Sequence, residues 1–159
     1  MRASGEWHSQ RKSKSKIESV DRLTQARRSH VMSSVRSFGT LPEQAVRKIL
    51  RQMGQRYRSN VSRLPGRPDI VLSKQRKIIF IHGCFWHGHG RCVKGRKVPK
   101  TRTEFWTQKI ERNKTRDDRV RRRLQAQGWH VLTVWECSLR RDSNLRLRLK
   151  NFISSKGAK

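Results

Sequence analysis

The feature that most narrows the possible folds is the stretch CFWHGHGRC, Cys84 to Cys92, taken together with the only other cysteine, Cys137. The stretch follows one apolar run, KIIFIH, and Cys137 closes another, WHVLTVWEC, well downstream. Cys84, His89 and Cys92 are spaced so that a loop can fold back on one ion, and thiolate with imidazole suits tetrahedral Zn2+. With Cys137 as the fourth ligand every cysteine is used, and the 84 to 92 loop is pinned to the end of the last strand. Four protein ligands leave no open position, so the expected zinc is structural. The competing reading makes Cys137 a core thiol and Cys84 and Cys92 surface neighbours. Two cysteines and two histidines in so short a stretch weigh against it. Three cysteines also fit poorly with a disulfide framework.

The pieces around this loop have the periodicity of a mixed α/β domain. TLPEQAVRKILRQMG opens on a capping box, Thr40 and Glu43, with Pro42 in the first turn. It puts Ala45, Ile49, Leu50 and Met53 broadly on one face and stops at Gly54. RYRSNV, DIVLS and KIIFIH then read as strands, the last two short and β-branched as buried central strands should be. A long helix is expected from Thr103 to Gln127, carrying Phe105, Trp106, Ile110, Val120 and Leu124 and ended by Gly128. WHVLTVWEC is a fourth strand and DSNLRLRLKNFI a terminal helix; SHVMSSVRSF, upstream, has the spacing of a short helix. The order α, β, β, β, α, β, α predicts a small mixed sheet flanked by helices. Residues 1 to 28, rich in Lys, Arg, Ser and Gln, read as a flexible basic arm, 29 to 153 as one domain, and 154 to 159 as a tail.

Charge points to the partner. The chain has 40 Lys+Arg against 11 Asp+Glu, a formal charge of +29, and a polyanion, nucleic acid first, is what such a surface attracts. Charge alone would serve a histone-like packing protein equally well. No apolar run approaches the roughly 20 residues of a membrane span. The N-terminal MRASGEWHSQRKSKSK lacks the apolar centre of a signal peptide, so a cytoplasmic, nucleoid-associated protein without membrane contact is expected.

Acidic residues are scarce, and this gives weight to those near the histidines. Asp69 follows PGRP at the start of a strand, and His82 ends the next. A hairpin would bring the two together, and a carboxylate on a basic surface is what Mg2+ needs to sit against a phosphate. Imidazole titrates near neutrality, so His82 or His87 could deprotonate an attacking water or stabilise the transition state. Asp117 could orient one of them, and Glu43 is a further acidic candidate. Each has a plainer role available: strand cap for Asp69, helix cap for Glu43, solvated ion pair for Asp117.

At this point the sequence resembles a known family. RRSHVMSSVRSFGTLPE, LPGRPDIVL, FIHGCFWHGHGRC, VPKTRTEFWTQKIERNKTRDDR and LQAQGWHVLTVWEC are similar, in order and spacing, to the very-short-patch repair (Vsr) endonucleases over roughly residues 27 to 150. HGCFWH with WEC is highly specific, whereas PGRPD alone would be weak. The resemblance implies a restriction-endonuclease-like fold with an αβββαβ core. It implies a Mg2+-dependent nick 5′ of the thymine in a T:G mismatch left by deamination of 5-methylcytosine. It makes Asp69 a Mg2+ ligand with the backbone carbonyl of Ile81, His87 the general base, Asp117 its partner and His82 a phosphate-contacting or transition-state residue, with Glu43 nearby. Cys84, His89, Cys92 and Cys137 match the family's structural zinc ligands. Phe85, Trp86 and Trp106 match aromatics that insert beside the mismatch from the major groove, and Met32 matches a residue entering from the minor groove. Mismatch-repair proteins and a repair polymerase are implied partners, and monomeric action suits a single nick. Two other readings compete: a zinc-stabilised DNA-binding module without activity, and a related nickase with a broader mismatch or defined-site trigger.

Overall fold

The structure, a computed structural model, describes residues 39–141 and 144–155, without the side chains of residues 140 and 141. The basic arm, the short helix expected over residues 29 to 38, and Met32 lie outside the described residues.

Helix α1, Leu41–Gln52, begins as the sequence predicts. The Thr40 hydroxyl accepts the Glu43 N–H, the Glu43 carboxylate accepts the Thr40 N–H in return, and Pro42 fills the first turn. Its buried stripe is Glu43, Val46 and Leu50, flanked by Ile49 and Met53. Ala45, expected on that face, is only half-buried and Val46 takes its place.

Four strands follow: β1 (Arg58–Ser59), β2 (Ile70–Leu72), β3 (Lys77–His82) and β4 (His130–Trp135). They lie in the order β1-β2-β3-β4, antiparallel across the first two pairings and parallel between β3 and β4. RYRSNV contributes only its two central residues, because Asn60 turns into a left-handed conformation at φ 51°. The parallel pairing requires a long crossover. It is supplied by α2 (Val93–Arg96) and α3 (Thr103–Ala126). Helices α4 (Ser138–Arg141) and α5 (Leu145–Ser154) complete the chain. The one-turn helices α2 and α4 are additions to the expected order.

The alternation of a strand divides the sheet into two faces. Ile70, Leu72, Ile79 and Val134 pack with Val46 and Leu50 of α1 and Leu145, Leu149 and Ile153 of α5. On the other face Val71 and Ile78 meet Leu124 of α3, with Phe80, Val120, Trp129 and Val131 around them. Phe80 and His82 therefore look toward α3, while Ile79 and Ile81 look toward α1 and α5. Lys77 shares the face of Ile79 and Ile81, toward α5, and is 2 % exposed. Its ammonium caps the end of α5, donating to the Ser155 carbonyl at 2.7 Å, to the Ser155 hydroxyl at 2.6 Å and to the Phe152 carbonyl.

Helix α3 presses one stripe on the sheet. Trp106, Ile110 and Leu124 are buried, and Asn113, Asp117 and Val120, also on the stripe, are half-buried. Phe105, expected among the buried residues, is one position off the stripe and 40 % exposed. Among the described residues no helix is long and apolar enough to cross a membrane.

Candidate active site and metal centre

Because β3 and β4 are parallel and in register, His82 opposite Trp135, the segments that leave them start side by side. The segment after β3 winds tightly: the His87 N–H donates to the Gly83 carbonyl at 3.2 Å and the His89 N–H to the Cys84 carbonyl at 2.9 Å. Gly88 permits this winding with φ +57°. A side chain there would also strike α3, with a Cβ 2.7 Å from Ile110 Cγ2 and 2.5 Å from Lys114 Cε. Helix α3 holds the same turn by a bond from the Asn113 amide to the Trp86 carbonyl, at 2.8 Å.

Two clusters result. In one, His82, His87 and Asp117 come together. His82 and His87 stack with ring centroids 3.8 Å apart and planes 12° from parallel. The Asp117 carboxylate is hydrogen-bonded to His87 Nδ1, while His82 Nδ1 stands 3.9 Å from the same oxygen. Burial works to raise the Asp117 carboxyl, but the bond and charge of His87, the field of His82 and a hydrogen bond from Arg116 outweigh it and hold the group below the usual carboxylate range. Burial, with His87 alongside, pushes His82 down to about 4, so it is neutral at physiological pH.

Asp69 stands one strand away, as the hairpin reading requires, and its Oδ2 accepts the Ile81 N–H at 2.7 Å. Burial pushes its carboxyl up to about 6; the Ile81 bond opposes the shift and the Glu43 charge adds to it. A buried carboxylate whose charge is disfavoured in this way suits a hard divalent cation. The His82 carbonyl bonds β4 through the Glu136 N–H, so by alternation the Ile81 carbonyl points to the β2 side, where Asp69 lies. An oxygen of Asp69 and this carbonyl are thus fit donors for Mg2+. Glu43 keeps its cap and also accepts from Arg47 at 3.0 Å.

In the second cluster, Cys84, His89, Cys92 and Cys137 gather with their ligand atoms all within 4.8 Å of one another. His89 Nδ1 is 3.6 Å from Cys84 Sγ and 3.4 Å from Cys137 Sγ. A tetrahedral zinc with Zn–N of ~2.0–2.1 Å and Zn–S of ~2.3 Å spans about 3.5 Å between such ligands. The set therefore fits zinc in both donor chemistry and spacing. Gly95 lets α2 close over it: a Cβ there would lie 2.3 Å from the His89 carbonyl.

The aromatics form one group. Phe85 lies 5.1 Å from Trp86 and 5.4 Å from Trp106, Trp86 lies 6.0 Å from Trp106, and Phe105 lies 5.3 Å from Trp106. Trp106 is 7 % exposed, and Phe85 and Trp86 are half-buried. Lys109 Nζ stands 5.5 to 5.7 Å from the rings of Trp86, Phe105 and Trp106.

Sequence reasoning grouped both clusters and overlooked Arg47, Asn113 and Trp135. The spacing of Trp106, Ile110, Asn113, Asp117, Val120 and Leu124, alternately four and three, would have placed Asn113 and Asp117 on the inward stripe.

The chain is similar to several proteins of one kind. The family model described as DNA mismatch endonuclease Vsr matches residues 20–94. The type II nicking enzyme V.XorIIP of Xanthomonas oryzae is 47 % identical over 134 residues, 84 % of this chain and 97 % of that protein. The DNA mismatch endonuclease Vsr of Escherichia coli is 45 % identical over 138 residues, 84 % of this chain and 87 % of that one. Among solved structures, the catalytic domain of the homing endonuclease I-Bth0305I shares the fold, with a TM-score of 0.50 at 20 % identity, over 74 % of this chain and all of that domain.

Proposed function

The chain belongs to the Vsr family and is a DNA endonuclease, and we propose that it is a Mg2+-dependent nickase acting 5′ of the thymine in a T:G mismatch. The observation that carries this reading is the pairing of His87 with Asp117 one strand away from Asp69. A base and a cation-binding carboxylate then face the same phosphate.

Asp69 and the Ile81 carbonyl would hold Mg2+, which when bound supplies charge neutralisation at the scissile phosphate and at its attacking water. His87 donates its Nδ1–H to the Asp117 carboxylate, which leaves Nε2 as the nitrogen that takes a proton from the water. The carboxylate then stabilises the imidazolium that forms. His82, neutral and stacked on His87, adds no second positive charge to oppose that step and can donate an N–H to the phosphate. Glu43 acts through the electrostatics of Asp69, with Arg47 as its counter-ion.

Cys84, His89, Cys92 and Cys137 would hold a structural zinc that fixes the turn between positions 84 and 89. Phe85, Trp86 and His87 lie within that turn, so one staple would order the base and two of the aromatics. Insertion of Phe85, Trp86 and Trp106 beside a base step costs a few kcal/mol in unstacking, and least where the pair is already a wobble. The T:G preference follows in part from that difference. Met32, if it enters from the minor groove, completes the clamp. The partners in this reading are duplex DNA, acted on by a monomer, and repair proteins that fill the nick; its setting is the cytoplasm, at the nucleoid.

End-labelled duplexes, matched or carrying one T:G pair in a cytosine-methylation context, test the proposal with Mg2+ or EDTA. Cutting of the thymine strand alone, and only with Mg2+, is the expected result. Equal cutting of matched duplex would point to a site-specific nickase, and binding without cutting to a DNA-binding module.

A further inference from the structure

The two clusters are joined by a side chain that neither assignment uses. Trp135 ends β4 opposite His82. Its indole lies flat on His89, with centroids 4.2 Å apart and planes 5° from parallel, and meets the His82 ring in an edge contact at 5.5 Å and 76°. His82 in turn stacks on His87, which bonds Asp117. Ring contacts thus run without a break from a metal-centre ligand to the proposed base.

His82 is oriented by packing more than by hydrogen bonding. Its Nδ1 is 3.9 Å from Asp117, beyond hydrogen-bond reach, and the second torsion of a histidine is a broad well with little preference of its own. The His87 face, the Trp135 edge and the Phe80 ring, 5.8 Å away and tilted by 48°, limit its rotation, and of the three Trp135 alone reaches the second cluster. Trp135 is limited in the same way by His89, whose ring nitrogen lies among the sulfurs of Cys84 and Cys137.

We propose that Trp135 is a positioning residue, transmitting the placement of His89 in the metal centre to the His82–His87 pair. The inference rests on the nickase reading for its kinetic consequence, and on geometry alone for its structural one. Loss of the indole leaves the four metal ligands in place and removes one of the three rings that confine His82, which loosens the stack that holds His87.

The test compares wild type, Trp135→Leu and Trp135→Phe as full-length proteins. Zinc content, affinity for a T:G duplex without Mg2+, single-turnover nicking and the imidazole NMR signals of His82 and His87 are measured for each. Trp135→Leu is expected to keep its zinc and its affinity, to nick about tenfold more slowly or worse, and to show shifted His82 and His87 signals. Trp135→Phe, which restores a flat ring, should recover most of the rate and the signals. Wild-type nicking by the leucine variant, or unshifted signals, overturns the proposal, as does a loss of rate matched by an equal loss of affinity.

If Trp135→Leu fails to fold, His89→Cys keeps four zinc-binding side chains while removing the stacking ring. Slower nicking with zinc retained is then the expected result, and an unchanged rate overturns the proposal. A wild-type protein that nicks no T:G duplex would refute the functional reading, and the histidine signals would still decide this one.

Discussion

The two clusters each draw a histidine from one turn of chain and differ in what surrounds them. Around Cys84, His89, Cys92 and Cys137, the first and third are buried and four soft ligands turn inward. His82, His87 and Asp117 keep 12 %, 18 % and 22 % of their side chains exposed and offer one carboxylate to two imidazoles. His87 and His89 are separated by Gly88 alone, yet one belongs to each cluster. Residue type therefore does not decide which cluster a histidine joins here. The direction each side chain takes from a tightly wound turn does.

The sharpest way to break this contrast is to remove chemistry from one side only. His87→Ala or Asp69→Ala should lower single-turnover nicking by roughly 10²–10⁴-fold or more, while affinity for a T:G duplex stays within a few-fold. Undiminished nicking by either variant removes that residue from the mechanism. Cys137→Ser strikes the other cluster. It should abolish stoichiometric zinc binding and destabilise the protein by several kcal/mol, read by metal analysis and denaturant unfolding. Burial pushes the Cys84 thiol up to about 12, so it is protonated in the metal-free protein at pH 7 and zinc uptake must release its proton. An indicator-dye titration showing no proton release would contradict the assignment of Cys84 as a thiolate ligand.

Asp69→Asn sharpens the comparison through pH. Asp69 titrates at about 6 when folded, above its ordinary 3.8, so its contribution to stability is fully present below about pH 4 and is lost as pH rises through 6. The asparagine variant keeps an acceptor for the Ile81 N–H and loses that penalty. It should unfold at a higher temperature than wild type at pH 8 without Mg2+, by on the order of 2 kcal/mol. At pH 4 the gain should vanish, and a gain of the same size at both values would assign it to something other than ionisation. The smallest expected effect is that of Asn113→Ala. It removes one bond to the Trp86 carbonyl and should cost about 1 kcal/mol, with hydrogen exchange rising in the 84 to 89 turn more than in α1.

Much of this was legible in the sequence, for physical reasons that differ by element. Helix α1 announces its start through local chemistry, since Thr40 and Glu43 satisfy each other's backbone donors. Strands β2 and β3 are buried on both faces, and continuous β-branched runs say so. The gathering of Cys84, His89, Cys92 and Cys137 was legible because cysteine and histidine at those spacings have few other uses. Helices α2 and α4 are four residues each, too short for any periodicity to register. Phe105 and Trp106 are adjacent, so only one can face the sheet, and composition does not say which. Trp135 reads as one more strand residue. Its contacts with His82 and His89 depend on the parallel register of β3 and β4, which only the folded chain determines.

Helix α3 runs for 24 residues and is anchored near both ends, by Trp106 and by Leu124, with Asp117 between them. A carboxylate mounted this way inherits its coordinates from a rigid rod and not from the connection that leads into it. The chain between α2 and Thr103 can therefore gain or lose residues over evolution, or by engineering, without retuning the partner of His87. Variation in length is cheap there, and a single glycine or proline inside the rod would be costly.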